Sequence, residues 1–463
     1  PAIACIGQAG ENLSRIATVQ HDASNAAGQG GFGAVMGSKN LKAIAVWGSG
    51  TVPVANPKRL IELREEIQQR VWRPGEEEPP GIPTNAEPPG IGPLWTLFGG
   101  SKWATENFVR PLGCFGCPWP CRANFRGGLG AEAQCVEALF YAGPDFAAHG
   151  DITSASPLAA TLLEKYGINA FDVIETLTWT YTLYRMGFLG PNGEVKTELP
   201  FDAFGEAELA EEFLRAIAYR EDIGDALAEG GTRAAFMWGR EKDLETGLLH
   251  QPYHGYTEHY DPRIEVEWGY GTILDSRDIN EHDFNMSWWA WSGALAAEVE
   301  PALSAKEYAE RFGEVIGDPF ALDYSLEGIY SEHMARTVYW HRHYVMSWKH
   351  SAILCDWRFA NIVDAKGPDF RGLTPWAEPA FFEAVTGIKL SFEDGLEIGR
   401  RIWNLQRAIH VLQGRTREHD QFTLGPRSYI YNVPAEGGSA NVFAPAYENG
   451  EWAVSYTHSD AAD

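Results

Sequence analysis

Apolar and polar positions divide this chain into a short-stranded beginning and a long, mainly helical remainder. The opening PAIACIG reads as a strand. Residues 41–48, LKAIAVWG, alternate and end in a turn, which predicts another. Asn56-Pro57 then opens a helix, with Asn as N-cap and Pro in the first turn, and Leu60, Ile61, Leu63, Ile67 and Val71 line its apolar side. Residues 74–94, PGEEEPPGIPTNAEPPGIGP with its flanks, are too rich in Pro for regular structure and read as a surface loop or linker.

From about residue 100 the pattern is mostly helical. Ser156-Pro157 begins a helix that ends near Gly167, and Phe171–Met186 is the next. Further helices are predicted over 206–218, 222–238, 304–316 and 393–412. The last has Leu396, Ile398, Ile402, Leu405, Ile409 and Leu412 as its apolar positions. Between about 250 and 290 lies an irregular stretch rich in His, Asp, Glu and Tyr, the kind of polar loop on which function tends to sit. No internal repeat is visible.

Composition narrows the class. A chain of 463 residues with 44% apolar and 13% aromatic positions has enough material for large cores and for several domains. A formal charge of −26 argues against a nucleic-acid partner, because phosphate binding needs clustered Lys and Arg. No apolar run approaches the roughly 18 residues a membrane span requires. Six cysteines in this length are no disulfide scaffold and fit a reducing, cytoplasmic setting. The start without Met, inside a strand, and the stop soon after EWAVSY suggest a piece of a longer protein, lacking its first domain and part of its last.

Three of those cysteines are spaced C-x2-C-x3-C, as Cys114, Cys117 and Cys121 in GCFGCPWPCRANF. Thiolates this close usually hold an iron–sulfur cluster or a soft metal. Three do not complete a four-thiolate site, and Cys5, Cys135 and Cys355 are the candidates for the fourth. A structural zinc site in a non-enzymatic protein is the alternative, although a second C-x2-C element is missing. Residues 28–33, GQGGFG, match G-x-G-x-x-G, but HDASNAA before them is no clear strand, and Gly37-Ser38 interrupts the helix a dinucleotide site needs. A glycine loop whose N–H groups approach an anionic ligand fits better, with Lys39, Asn40 and Lys42 beside it favouring a phosphate-bearing one; a tight turn between strands is the plainer reading. In the stretch 254–284, His254, His259 and His282 stand among Glu258, Asp261, Arg263, Asp275, Arg277 and Glu281, a set suited to proton transfer or to a satisfied polar network.

Taken together, IGQAGENLSRIA (6–17), AGQGGFGAVMGSKNLKAIAV (27–46), the cysteine triplet, YDPR with GYGT (260–272), ILC (353–355) and IWNLQRAIHVLQGRTREHD (402–420) resemble the aldehyde:ferredoxin oxidoreductase family, in the family's order over nearly the whole chain. The resemblance implies an α+β fold: the tail of an N-terminal β-rich pterin-binding domain, followed by two mainly α-helical domains. The bounds would be 1–50, 51–255 with the cysteine triplet, and 256–463. It implies a tungsten-bis-pyranopterin, with molybdenum as the alternative metal, and one [4Fe–4S] cluster on Cys114, Cys117, Cys121 and Cys355. Pterin contacts would fall in 11–15, 28–40, 164–172 and 349–355, with Glu11, Asn12, Arg15, Gln29, Gly30, Gly31, Lys39, Asn40, Asn169, Asp172 and Leu354 as the candidates. Protons would come from His254, His259, His282 or Glu281. The electron partner would be a ferredoxin or an FeS subunit, the substrate a small molecule, and a homo-oligomer is compatible with all of this.

Four departures from the family pattern stand out. Gln29 occupies the place of Arg in AGRGG. EKYGIN (164–169) and HSAILC (350–355) stand where D-x-x-G-L-D and D-x-x-G-L-C are usual. Cys135, in AEAQCVEALFYAGP (131–144), replaces a Glu near the metal and is a candidate tungsten ligand. That last exchange resembles the active-site subunit of tungsten-dependent (class II) benzoyl-CoA reductases, a branch of the same family, and implies reduction of an aryl-CoA thioester. Oxidation of aldehydes to carboxylates is the alternative.

Overall fold

The computed structural model describes residues 2–21, 25–70, 76–77, 79–82, 102–114, 122–131, 136–251, 266–273, 290–355, 361–422 and 442–457. The chain forms two compact units, Pro1–Gly50 with Pro88–Glu258, and Thr51–Glu87 with His259–Asp463.

The first unit opens with an antiparallel sheet of order β3-β2-β1-β4, formed by β1 (Ala2–Ile6), β2 (Val19–His21), β3 (Asn25–Ala27) and β4 (Ala43–Val46). Both strands read from the sequence, β1 and β4, are present, and Cys5 lies between Gln20 and Ala43. The glycine loop joins β3 to a helix, Phe32–Ser38, which runs on through Gly37 and Ser38 where the sequence suggested an interruption. The sheet is nevertheless antiparallel, and β3 and β4 are its two edges, so the parallel β-helix-β unit of a dinucleotide fold is absent from it.

Behind the sheet, the helices Val136–His149, Ala155–Tyr166, Ala170–Arg185 and Ala207–Tyr219 share a core that includes Leu163, Val173, Leu177, Trp179, Leu209 and Phe213. The buried carboxylate of Asp145 organises the first pair. It accepts from Thr153 N (2.8 Å), Thr153 Oγ1 (2.8 Å) and Ser156 N (3.1 Å), and so closes the start of the second helix. The helix predicted over 222–238 is two short ones, Gly224–Leu227 and Gly231–Met237, broken at Gly230, where φ is 94°. A three-stranded meander, β5 (Phe108–Leu112), β6 (Arg122–Phe125) and β7 (Gly130–Ala131), lies in a region read as helical. Its strands are short and carry Pro111 and Gly130, so neither alternation nor composition marked them.

In the second unit the Asn56 cap forms as expected: its side chain accepts from Arg59 N at 3.0 Å, and Pro57–Gln69 follows. Of that helix's apolar positions, Leu63 and Ile67 are buried, whereas Ile61 faces solvent. Ser304 and Glu307 make a capping box for Ala305–Ile316, and Ser391 and Asp394 do so for Phe392–Leu412. The long helix packs against a stretch of π-type winding, His341–Lys349, through Gly395 and Gly399, where added methyl groups would collide with Trp348 and with the His343 carbonyl. Leu405, Ile409 and Leu412, three of its predicted apolar positions, are exposed instead. Inside the stretch read as irregular, Val266–Ile273 is a helix. A closing hairpin, β8 (Val442–Glu448) and β9 (Glu451–Thr457), turns at Asn449-Gly450, both with positive φ.

Candidate cofactor-binding site

The described part of the site is built around the end of one helix. Ala155–Tyr166 closes at Gly167 (φ 69°, ψ 53°), whose N–H bonds Glu164 O, while Ile168 N bonds Leu163 O at 2.9 Å. The segment 14–18 lies along this turn: Asn169 N donates to Ile16 O, Thr18 N to Gly167 O, both at 2.9 Å, and Ala17 pairs with Ile168. The result is a recess lined by Thr18, Gln20, Ala26, Gly28, Leu163, Glu164, Ile168 and Asn169.

Within it, Asn169 Nδ2 donates to Asp172 Oδ2 at 2.6 Å, and both residues are buried. Asp172 stands in the first turn of Ala170–Arg185, where the helix dipole favours a negative charge. Asn169 Oδ1 faces Gly28, and Gln29 is buried beside it. The lining combines apolar Leu163 and Ile168 with the amide and carboxylate groups of Gln20, Asn169 and Glu164, a donor and acceptor set matching the edge of a pterin, which carries both. On that chemistry the residues fit the cofactor.

The neighbouring candidates use their side chains inside the protein. Arg15 Nε binds Glu229 Oε2 at 2.7 Å, and Arg220 joins Glu229 Oε1 at 2.7 Å and the carbonyls of Asn12 and Leu13. Burial raises the Glu229 carboxyl, but the two guanidinium groups outweigh it and its pKa is lowered. Asn12 Nδ2 donates to Ala218 O at 2.7 Å, and Glu11 pairs with Lys42 at 2.8 Å. Residues 11–15 are therefore bound to Ala207–Tyr219 and the segment after it. Gly31, Gly33 and Gly37 are needed where Phe32–Ser38 presses on the backbone of Arg15, Thr18 and Gly10, a packing role the sequence did not announce. Lys39 is exposed just after this helix, and Asn40 has φ 54°.

In the second unit, the winding through His341–Lys349 leads to Ile353, Leu354 and Cys355; Cys355 is exposed, as is Cys114 in the first unit. Lys349 and Glu378 are both buried. Burial raises the Glu378 carboxyl against the pull of Lys349, and Thr374 Oγ1 donates to it at 2.6 Å. The helix Val266–Ile273 carries a group that sequence reasoning passed over. Glu267 is fully buried, burial pushes its pKa up to about 7, and Tyr324 OH donates to it at 2.5 Å. A carboxylate between Val266 and Trp268 was the available signal. At the other end of that helix Arg342 donates to Gly271 O and Arg415 to Ile273 O. Burial, with Arg415 nearby, holds Arg342 down to about 9.

Cys117, Cys121, Cys135, His254, His259, Glu281 and His282 lie outside the described residues. Among those described, no group of three or more His, Cys, Asp or Glu side chains is placed to hold a metal ion, and no helix is long and apolar enough to cross a membrane.

Residues 92–448 match the family described as aldehyde ferredoxin oxidoreductase, domains 2 & 3, and residues 1–48 match its N-terminal domain. The chain belongs to the aldehyde ferredoxin oxidoreductase family. It is an oxidoreductase with the α+β architecture expected of it. Tungsten-containing aldehyde ferredoxin oxidoreductases of Thermococcus kodakarensis and Pyrococcus furiosus are each 27% identical to it, over 94% of this chain and 67% of theirs. The WOR-like subunit of an aliphatic sulfonate oxidoreductase of Pyrococcus furiosus is 27% identical over 53% of this chain and 42% of its own. Among solved structures, the active-site complex BamBC of benzoyl coenzyme A reductase in complex with 1,5-dienoyl-CoA matches with a TM-score of 0.61 at 20% identity, over 92% of this chain and 67% of that one. That likeness is one of fold. The chain spans about two thirds of the length of these full relatives.

Proposed function

We propose that this chain is the active-site part of a tungsten-bis-pyranopterin, [4Fe–4S]-dependent oxidoreductase that reduces an aryl-CoA thioester such as benzoyl-CoA. The observation that carries the reading is Cys135: by the resemblance it stands where aldehyde-oxidising members of the family usually carry a Glu, and a thiol there suits a metal whose open position is closed by sulfur. The fold shared with a benzoyl-CoA reductase subunit is in keeping with it. When bound, the cofactor and cluster supply low-potential electrons, the part of the chemistry side chains do not perform.

The chain's own residues have the remaining tasks. Cys114, Cys117, Cys121 and Cys355 hold the cluster. The rim of Gln20, Glu164 and Asn169, with Asn169 oriented by Asp172, holds one pterin edge. Glu11, Asn12 and Arg15 keep the 14–18 segment in place against it. His254, His259 and His282, whose imidazole type ordinarily titrates near neutrality, and the Glu281 carboxyl are the groups that give protons to the ring. A ferredoxin or an FeS subunit delivers the electrons.

A second reading, oxidation of aldehydes to carboxylates, is favoured by the names of the 27%-identical relatives. Assays of the full-length holoenzyme decide between them. The expected result is about four Fe per W, turnover of benzoyl-CoA, and its loss in Cys135→Ala. Rapid turnover of simple aldehydes that survives Cys135→Ala overturns the proposal.

A further inference from the structure

In the first unit, Tyr141, Asp145 and His149 stand one turn apart on the helix Val136–His149 and meet the neighbouring elements together. Tyr141 OH donates to Glu206 O at 2.7 Å and accepts from Gly205 N at 3.1 Å. Gly205 has φ 100°, and a methyl group there would collide with Ala148 and with the Pro144 carbonyl. His149 Nδ1 lies 2.9 Å from Asp145 Oδ1 and 3.0 Å from Asp145 O. Its other ring nitrogen, Nε2, lies 3.3 Å from Oε1 of Glu206, the N-cap of Ala207–Tyr219.

Carboxylate oxygens at both ring nitrogens select one charge state. Neutral imidazole has one N–H and one lone pair, so one carboxylate would face a lone pair; the imidazolium donates to both. The last turn of a helix favours a cation as well. The charged groups acting on the ring are Asp145, from its own helix, and Glu206, from the next element. Tyr141, between them, has its phenol pushed up by burial and stays uncharged. Burial pulls the His149 pKa down, but the Asp145 carbonyl and carboxylate and the charge of Glu206 outweigh it, and the pKa is raised above 6.5.

We propose that His149 is a pH-sensitive latch: as an imidazolium it ties the end of Val136–His149 to the start of Ala207–Tyr219, and on losing its proton it releases Glu206. The latch is complete below about 6.5 and is lost as the pH rises through the raised value. It acts on the frame of the cofactor recess. Asp145 closes the start of Ala155–Tyr166, whose far end forms the recess, and Ala207–Tyr219 holds Asn12 through Ala218 O. The inference goes beyond the proposed reaction and stands whichever substrate the chain takes.

The test follows the full-length holoenzyme by mass spectrometry from about pH 5.5 to about pH 9. Exchange of the imidazole C2 hydrogen reads the titration of His149, and amide exchange, corrected for the intrinsic rate, reads backbone protection. His149 is expected to titrate above 6.5, with peptides covering 145–156 and 203–210 losing protection as it does. Glu206→Gln, at a side chain 57% exposed, removes one of the two carboxylates; the midpoint is expected to fall and the loss of protection to move down with it. In His149→Gln the pH-dependent loss is expected to vanish. Should that variant not fold, the Glu206→Gln shift decides. A wild-type midpoint at or below 6.5, or a loss of protection that Glu206→Gln leaves at the wild-type pH, overturns the inference.

Discussion

Glu267 is where a single residue's surroundings most change its chemistry. Its carboxyl is buried against the Tyr324 hydroxyl, and its pKa rises from 4.5 to about 7. The native state therefore holds this proton more tightly than the unfolded chain does. Stability from Glu267 is complete below about 4.5 and is lost as the pH rises to about 7. The difference corresponds to about 3 kcal/mol. Glu267→Gln keeps an acceptor for Tyr324 and removes the titration. Thermal melts of the variant from pH 4 to 8 should show a flatter decline than the wild type, and an unchanged slope would mean that Glu267 does not titrate in that window.

Packing between elements decides what the helix Phe392–Leu412 contributes. Its tight face is made by Gly395 and Gly399, not by the leucines and isoleucines of its second half, because the His341–Lys349 winding approaches close enough to exclude a methyl group. Gly399→Ala, good for helix propensity in isolation, is expected to destabilise by roughly 1–3 kcal/mol through overpacking. Leu405→Ala, at a position 64% exposed, should change stability by about 0.5 kcal/mol or less. Urea midpoints of the two variants check both; equal effects would contradict the contact.

Charge acts on the molecule as a whole. A formal −26 over 463 residues implies self-repulsion that counterions relieve, since exposed charges are screened over about 10 Å at 0.1 M salt. Thermal stability is expected to rise between low and moderate ionic strength at neutral pH. A falling Tm would mean that ion pairs such as Arg371–Glu314 and Arg407–Asp420 outweigh the repulsion. The same charge argues against a nucleic-acid partner, whose phosphates call for clustered Lys and Arg.

Local chemistry was legible in the sequence wherever a short stretch carries its own signal. The Asn56-Pro57 start, the Ser304 helix and the Gly167 stop depend on side chains and dihedrals within a few residues, and all formed as read. The Asn449-Gly450 hairpin carried such a signal too and went unread. The cysteine spacing and the family's segments were equally plain, and the family followed from them. What the sequence withheld depends on distant backbone. Val266–Ile273, with two glycines and a buried acid, is a helix among tertiary partners such as Tyr324, Arg342 and Arg415. The close backbone approach that requires Gly31, Gly33 and Gly37 could not be read until the segments they press against were in place. Asp172 orients Asn169 because a helix turn brings the two side chains within 2.6 Å. Sequence by itself determined the family and the local caps, since both are written in short runs of neighbouring residues. Tertiary structure decided which glycines pack, which apolar positions stay exposed and which carboxyls hold their protons more tightly, because burial and close approach are set by segments far apart in the chain.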